Sequence, residues 1–196
     1  MTKHVFVETN FLVDLLRPFP SRDAEALFAR NGVDVCLYVP WCSQSEAYRT
    51  LPEIIRQDLG FTDAMMRFSV RRWLSDKTLF DKRELDKVQK LAKGDRADAL
   101  ASLEQRLQEA VATMEIIAPS PAVVARTLRV FTVKSLKPFD EMVLGATLSM
   151  ATQLHAANER DLYFCNLDRD LASGYPALIA EYNSCGLTVR EDFRVP

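Results

Sequence analysis

Apolar residues along the chain alternate between short continuous runs and longer stretches in which they recur every three or four positions. The short runs predict buried strands at residues 4–7, 33–39, 116–118, 162–165 and 187–190. The longer stretches between them predict helices, each with one apolar face. Because strand and helix alternate, we expect an α/β fold in which helices cover a central parallel sheet of about four to five strands.

Serine, proline and glycine residues mark the ends of the predicted helices. Ser21 and Ser43 are predicted to cap the second and third helices, and Ser120 to cap a later one. Pro138 begins a long helix that reaches about Asn158. The other helix signals are the apolar positions Phe11, Leu12, Leu15 and Leu16 after the first strand, and a helix over 176–185 that ends at Gly186.

The middle of the chain, about residues 60–114, has helical spacing and no convincing strand, which predicts a helical insertion within one domain that spans the whole chain. Residues 60–96 carry ten basic and six acidic side chains. Arg67, Arg71 and Arg72 are candidate contacts for nucleic-acid phosphates, although such segments are more often solvated helix surfaces. An apolar stripe near the end of the insertion fits a buried core better than a dimer seam; its members are Leu100, Leu103, Leu107, Val111 and Met114.

The composition is that of an ordinary globular protein. Of the 196 residues, 48% are hydrophobic and 27% are charged, which excludes a disordered or fibrous chain. A net charge of −2 argues against binding of nucleic acid by the molecule as a whole. Four cysteines without a CxxC pair favour neither a zinc site nor a disulfide scaffold. With no membrane-spanning run, and with Glu8 and Asp14 interrupting the first apolar segment, we expect a reduced, cytoplasmic protein without a membrane partner.

Acidic side chains follow the predicted strands or begin the next helix at four separate places in the chain. These side chains are Glu8, Glu46, Asp140, Asp168 and Asp170, with Thr9, Asn10, Glu141 and Asn166 beside them. The carboxyl ends of parallel strands meet at one edge of the sheet, so we expect these groups to cluster there. Clustered carboxylates need a counter-charge, and a hard divalent cation, Mg²⁺ or Mn²⁺, is the usual one.

Each of these groups also has a purely structural explanation. Ser43 and Glu46 fit a capping box, and Asp140 at a helix N-terminus opposes the helix dipole. Asn10 fits an N-cap, and Asp168 fits a turn, as does Asp170. The structural and functional roles can coexist.

Four segments, taken in order, resemble the motifs of PIN domains, the nuclease fold of VapC-type toxins and related ribonucleases. The segments are VFVETNFLVDLLR, SQSEAYRTL, PFDEMVLGATLSMA and LYFCNLDRDLA. The resemblance implies a PIN-like three-layer α/β/α fold. It also implies catalytic roles for Glu8, Glu46, Asp140 and Asp168, metal ligation by Glu8, Asp140, Asp168 and Asp170, and substrate positioning by Thr9, Asn10 and Asn166. The chain departs from the family at Glu8, where Asp is usual, and at Asn166, where Ser or Thr is usual.

The resemblance implies a metal-dependent endoribonuclease that hydrolyses RNA phosphodiester bonds and leaves a 5′-phosphate. It implies a toxin of a toxin–antitoxin pair, so an antitoxin protein and a second copy of the chain are further candidate partners. Since Glu8 is one methylene longer than Asp, the alternative is a catalytically weakened PIN-like module that binds nucleic acid or protein. A phosphatase of the haloacid-dehalogenase type needs a nucleophilic Asp in a DxD pair, which Glu8-Thr9-Asn10 does not offer.

Overall fold

The structure is a computed structural model, and it describes residues 2–17, 20–56, 98–133, 135–171 and 175–196. The strands are β1 (Lys3–Val7), β2 (Val35–Pro40), β3 (Glu115–Ile117), β4 (Leu162–Cys165) and β5 (Leu187–Arg190). The helices are α1 (Thr9–Leu16), α2 (Arg22–Ala29), α3 (residues 41–56), α4 (residues 98–112), α5 (Pro121–Val133), α6 (Pro138–Ala156) and α7 (Pro176–Ser184). A short 3-10 helix covers Arg169–Leu171.

The five strands form one parallel sheet in the order β3-β2-β1-β4-β5. The chain builds outward from β1 through β2 to β3 and then crosses to the other side of β1 to form β4. The sheet therefore has a topological switch point between β1 and β4, where ligands bind in open α/β sheets. The predicted α/β class, with a parallel sheet of about four to five strands, is confirmed.

Both faces of the sheet are buried, as expected for parallel strands. Phe6 and Phe164, which are paired across β1 and β4, share one apolar cluster with Leu144 and Leu148 of α6. Val5, on the opposite face of β1, is also completely buried. The near-continuous apolar runs that predicted the strands reflect this burial on two sides.

Two close contacts hold the helices α5, α6 and α7 together. Gly145 of α6 lies against the backbone of Thr127 in α5, so closely that a Cβ atom at Gly145 would stand 2.7 Å from the Thr127 Cα. Glu181 of α7 is buried and forms ion pairs with Arg126 at 2.8 Å and Arg129 at 2.9 Å, both from α5. These contacts fix the helix pair that precedes β4.

The strands predicted over 4–7 and 116–118 each begin one residue earlier, at Lys3 and Glu115, and two further element starts differ by two residues or more. The strand predicted over 33–39 begins at Val35, because the Arg30 carbonyl accepts the N–H groups of residues 33 to 35 and prolongs the turn after α2. Ser43 does not cap α3, since this helix begins at residue 41, directly after β2. Ser43 therefore lies inside the helix, where its side chain is fully buried.

The chain divides into two compact units. One comprises residues 1–48 and 107–196 and contains the sheet; the other comprises residues 49–106. The helical insertion predicted over about 60–114 lies largely outside the described residues, but its described part, from residue 98, begins with the predicted helical conformation. Among the described residues, no helix is long and apolar enough to cross a membrane.

Candidate active site

The Glu8 carboxylate accepts hydrogen bonds from the segments that follow β1 and β4, the two strands at the switch point. It follows β1, is 5% exposed, and caps α1 by accepting the Asn10 N–H at 2.8 Å. Its other carboxylate oxygen accepts the N–H of Leu167, which follows β4, at 3.4 Å. The alternative of Asn10 as the N-cap is therefore wrong, and its exposed side chain lies in the first turn of α1.

Thr9 connects Glu46 to the same edge of the sheet. The Thr9 hydroxyl donates a hydrogen bond to Oε2 of Glu46, across 37 residues of sequence. The sequence predicted Glu46 in the first turn of α3. Because this helix begins at residue 41, Glu46 lies in its second turn. The capping-box explanation of Glu46 is wrong for the same reason. Glu46 therefore contacts Thr9, the residue that follows Glu8 in the sequence.

Asp140 is the acid that α6 contributes, in its first turn as predicted. Its Oδ2 atom is buried and has no hydrogen-bond partner in the described part of the chain. Burial raises the pKa of the carboxyl, and the charge of Asp168 raises it further. Glu46 and Asp170 act in the same direction, while Lys137 opposes them. The negative charges of these three acids therefore disfavour ionisation of Asp140.

The loop after β4 supplies the remaining polar groups. Asn166 is completely buried, and its backbone N–H donates to the Arg190 carbonyl at 3.0 Å. Neither polar atom of its side chain has a hydrogen-bond partner within the ranges the structure describes. Asp168 accepts the Asp170 N–H at 2.8 Å, so it has the predicted turn role and also faces the acidic cluster.

Burial is the main influence on the pKa values of the acids in the site. Burial raises the pKa of Glu8 to about 7, against an ordinary value of 4.5, and the charge of Asp168 adds to this. Hydrogen bonds from Asn10 and Leu167 lower it only in part. With Asp140 raised as well, two acids of the cluster resist ionisation.

The acidic side chains of the site are of the chemical type that Mg²⁺ or Mn²⁺ prefers, but the described residues do not arrange three of them around one point. Such ions prefer oxygen ligands, and the cluster offers carboxylate oxygens. One of these oxygens, Oδ2 of Asp140, has no hydrogen-bond partner among the described residues. A bound cation would also favour the ionised forms of Glu8 and Asp140 and so lower their raised pKa values. In their present positions, the described residues contain no group of three or more His, Cys, Asp or Glu side chains arranged to hold a metal.

Sequence reasoning located the acids but not the contacts that hold them. The Leu167 N–H is a backbone group and has no side-chain signature in the sequence. The hydroxyl of Thr9, adjacent to an acid after a strand, was a usable signal, but its partner Glu46 was not foreseeable. The proposed nucleic-acid contacts Arg67, Arg71 and Arg72 lie outside the described residues.

Comparison of the sequence with protein-family models and with curated proteins gave no match.

Proposed function

We propose that this protein is a metal-dependent endoribonuclease of the PIN type. The observation that carries the proposal is that acids from four parts of the chain lie at the carboxyl edge of a parallel sheet, beside its switch point. Glu8 accepts a hydrogen bond from the loop after β4, and Thr9 donates one to Glu46. The charge of Asp168 contributes to the raised pKa of Asp140. The motif resemblance assigns the same acids to catalysis.

In this proposal, Glu8, Asp140 and Asp168 hold the metal, with Asp170 as a further ligand. A bound Mg²⁺ or Mn²⁺ would supply a water of lowered pKa and positive charge beside the scissile phosphate. Two backbone N–H groups bind the two oxygens of the Glu8 carboxylate and limit its rotation, which supports its assignment as a ligand.

The other polar residues orient the reactants. The Thr9 hydroxyl fixes Oε2 of Glu46, which leaves Oε1 to accept the proton of the attacking water. The buried amide of Asn166 has both of its polar atoms available to position a ligand or the substrate. Asn10 is exposed on the first turn of α1, which supports a role in contacting the RNA.

The test is cleavage of RNA by purified wild type and Asp140→Asn in the presence of Mn²⁺. Loss of a proposed metal ligand should lower cleavage by at least about 100-fold, because even residues that only support a ligand are worth about 10- to 100-fold. Glu141→Gln is the matched control, since it removes the same charge from the same helical turn. Equal cleavage by wild type and Asp140→Asn, with both folded, would refute the proposal.

Glu8 gives specific support to the second candidate, a catalytically weakened module that binds nucleic acid or protein. With a pKa of about 7, the carboxyl of Glu8 is protonated in about half of the molecules at neutral pH, and a protonated carboxyl is a poor metal ligand. Glu8→Asp distinguishes the two functions. A nuclease cleaves RNA as wild type, whereas a weakened module is inactive and gains cleavage only in this variant.

A further inference from the structure

Lys137 lies at the start of α6, one turn before Asp140. It is the N-cap residue of this helix, with φ −66° and ψ 146°, and its carbonyl accepts the N–H of Glu141 at 3.0 Å. Pro138 follows it, and a residue before proline is held in such an extended conformation. The N-cap and the third helical residue are neighbours on one side of the first turn. Because Asp140 is that third residue, Lys137 and Asp140 lie next to each other at the end of the helix.

The residues on either side of Lys137 fix its backbone and leave its side chain outside the core. Leu136 and Phe139 are partly buried and pack against the apolar cluster that α6 shares with the sheet. Lys137 is exposed, and its side chain makes no hydrogen bond to the helix end. Within the described ranges, no carboxylate forms an ion pair with its ammonium group. An ammonium group with donors available for a ligand is therefore held beside the acidic site.

The positive charge of Lys137 acts on the acids of the site. It lowers the pKa of Asp140, against burial and against the neighbouring carboxylates, which raise it. Arg169 is exposed between Asp168 and Asp170, but its charge is not among the main influences on that pKa. A phosphate that approaches these acids is repelled by their negative charges, and Lys137 supplies an attractive charge at the same place.

We propose that Lys137 binds the RNA phosphate held at the acidic site, with its ammonium group donating a hydrogen bond to a non-bridging phosphate oxygen. The proposal rests on the nuclease function proposed above. A lysine ammonium group has three N–H donors and acts on phosphate as a point charge. A phosphate held at Asp140 lies one turn along α6 from Lys137, roughly 5 Å, which a lysine side chain spans. Because phosphates carry no sequence information, Lys137 contributes affinity for RNA of any sequence.

The test is binding of a fluorescein-labelled single-stranded RNA to the full chain, measured by anisotropy over a range of KCl concentrations. Ca²⁺ replaces Mn²⁺ as the hard cation, and a gel confirms that the RNA stays intact. Lys137→Gln should bind about fivefold more weakly at about 0.1 M KCl, and the slope of log K against log [KCl] should fall by about 0.7, the share of one phosphate contact on a single strand. Lys137→Arg keeps the charge and should bind within about twofold of wild type.

Cleavage kinetics with Mn²⁺ give a second measure of the same contact. The phosphate contact is present before and during the reaction, so Lys137→Gln should raise KM about fivefold and change kcat by less than about twofold. Removal of a positive charge should leave the Mn²⁺ affinity of Lys137→Gln equal or higher, measured by calorimetry. A residue that acts only by holding Asp140 in place would instead weaken Mn²⁺ binding.

Lys3→Gln is the matched control, since it removes the same charge from the amino end of β1, at the opposite edge of the sheet, and should leave RNA binding unchanged. Equal RNA affinity and salt slope in wild type and Lys137→Gln, no RNA binding by wild type, or weaker Mn²⁺ binding in Lys137→Gln would overturn the proposal. RNA binding that depends on Lys137, without cleavage, would retain the contact and refute the nuclease. Cleavage that depends on Asp140, with an unchanged KM in Lys137→Gln, would refute the contact alone.

Discussion

Replacement of Glu8 by glutamine should stabilise the metal-free protein at alkaline pH. The Glu8 carboxyl has a pKa of about 7 in the folded protein and an ordinary value of 4.5. Between these values the folded protein holds a proton that the unfolded chain has released, so its stability falls as the pH rises through this interval. Above pH 7 the full cost of the buried charge is present, and Glu8→Gln removes it.

The magnitude follows from the pKa and from the hydrogen bonds of Glu8. A pKa near 7 in place of 4.5 costs the wild type about 3 kcal/mol above pH 7, at about 1.4 kcal/mol for each tenfold change in proton affinity. Glutamine has one acceptor oxygen, so it keeps the 2.8 Å bond from Asn10 and loses the 3.4 Å bond from Leu167. That loss costs about 1 kcal/mol, which leaves a net gain of about 2 kcal/mol. At about pH 5 the remaining penalty is only about 1 kcal/mol, and the two effects cancel.

The assay is urea unfolding of both proteins at about pH 5 and about pH 8.5 with EDTA present. Glu8→Gln should equal wild type at the lower pH and exceed it by about 2 kcal/mol at the higher one. Glu25→Gln, on the exposed surface of α2, should change stability by less than about 1 kcal/mol at either pH. The same stability difference between Glu8→Gln and wild type at both pH values would refute the argument that Glu8 is buried without a counter-charge.

Four further substitutions test three other contacts. Thr9→Val removes the hydrogen bond to Glu46 and should lower the kcat of RNA cleavage by about 10- to 100-fold with little change in Tm; unchanged kcat would show that the hydroxyl does not orient the acid. Glu181→Gln should destabilise the protein by about 3 kcal/mol or more in urea, because it leaves Arg126 largely buried and unpaired, whereas Arg129→Gln at the exposed partner should cost under about 1 kcal/mol; equal losses would contradict this. Gly145→Ala should lose about 3 kcal/mol, since the new methyl group meets the backbone of α5, and a neutral result would show that the helices can separate there.

The sheet could be predicted because its strands are buried on both faces and therefore appear as continuous apolar runs. That signal located β4 and β5 to the residue. It failed at the start of β2, where Val33 looks like strand but is 82% exposed in the turn that follows α2. It also gave no warning that α3 follows β2 without a loop, and the Ser43–Glu46 spacing suggested a later start.

The candidate site was predictable as a set of acids, because the residues after parallel strands meet at one edge of the sheet. The contacts that hold Glu8 and Glu46 were not predictable, since one uses a backbone N–H and the other joins residues 37 positions apart.

The most direct test of whether the acids at the carboxyl edge of the sheet bind a metal is calorimetric titration of Mn²⁺ into wild type and Asp140→Asn. It requires no substrate, so an unknown sequence preference of the nuclease cannot hide the answer. We expect saturable binding by wild type, loss of that binding in Asp140→Asn, and retention in Glu141→Gln. Equal binding by wild type and Asp140→Asn, or no binding by wild type, would contradict a metal site built from the acids at the carboxyl edge of the sheet.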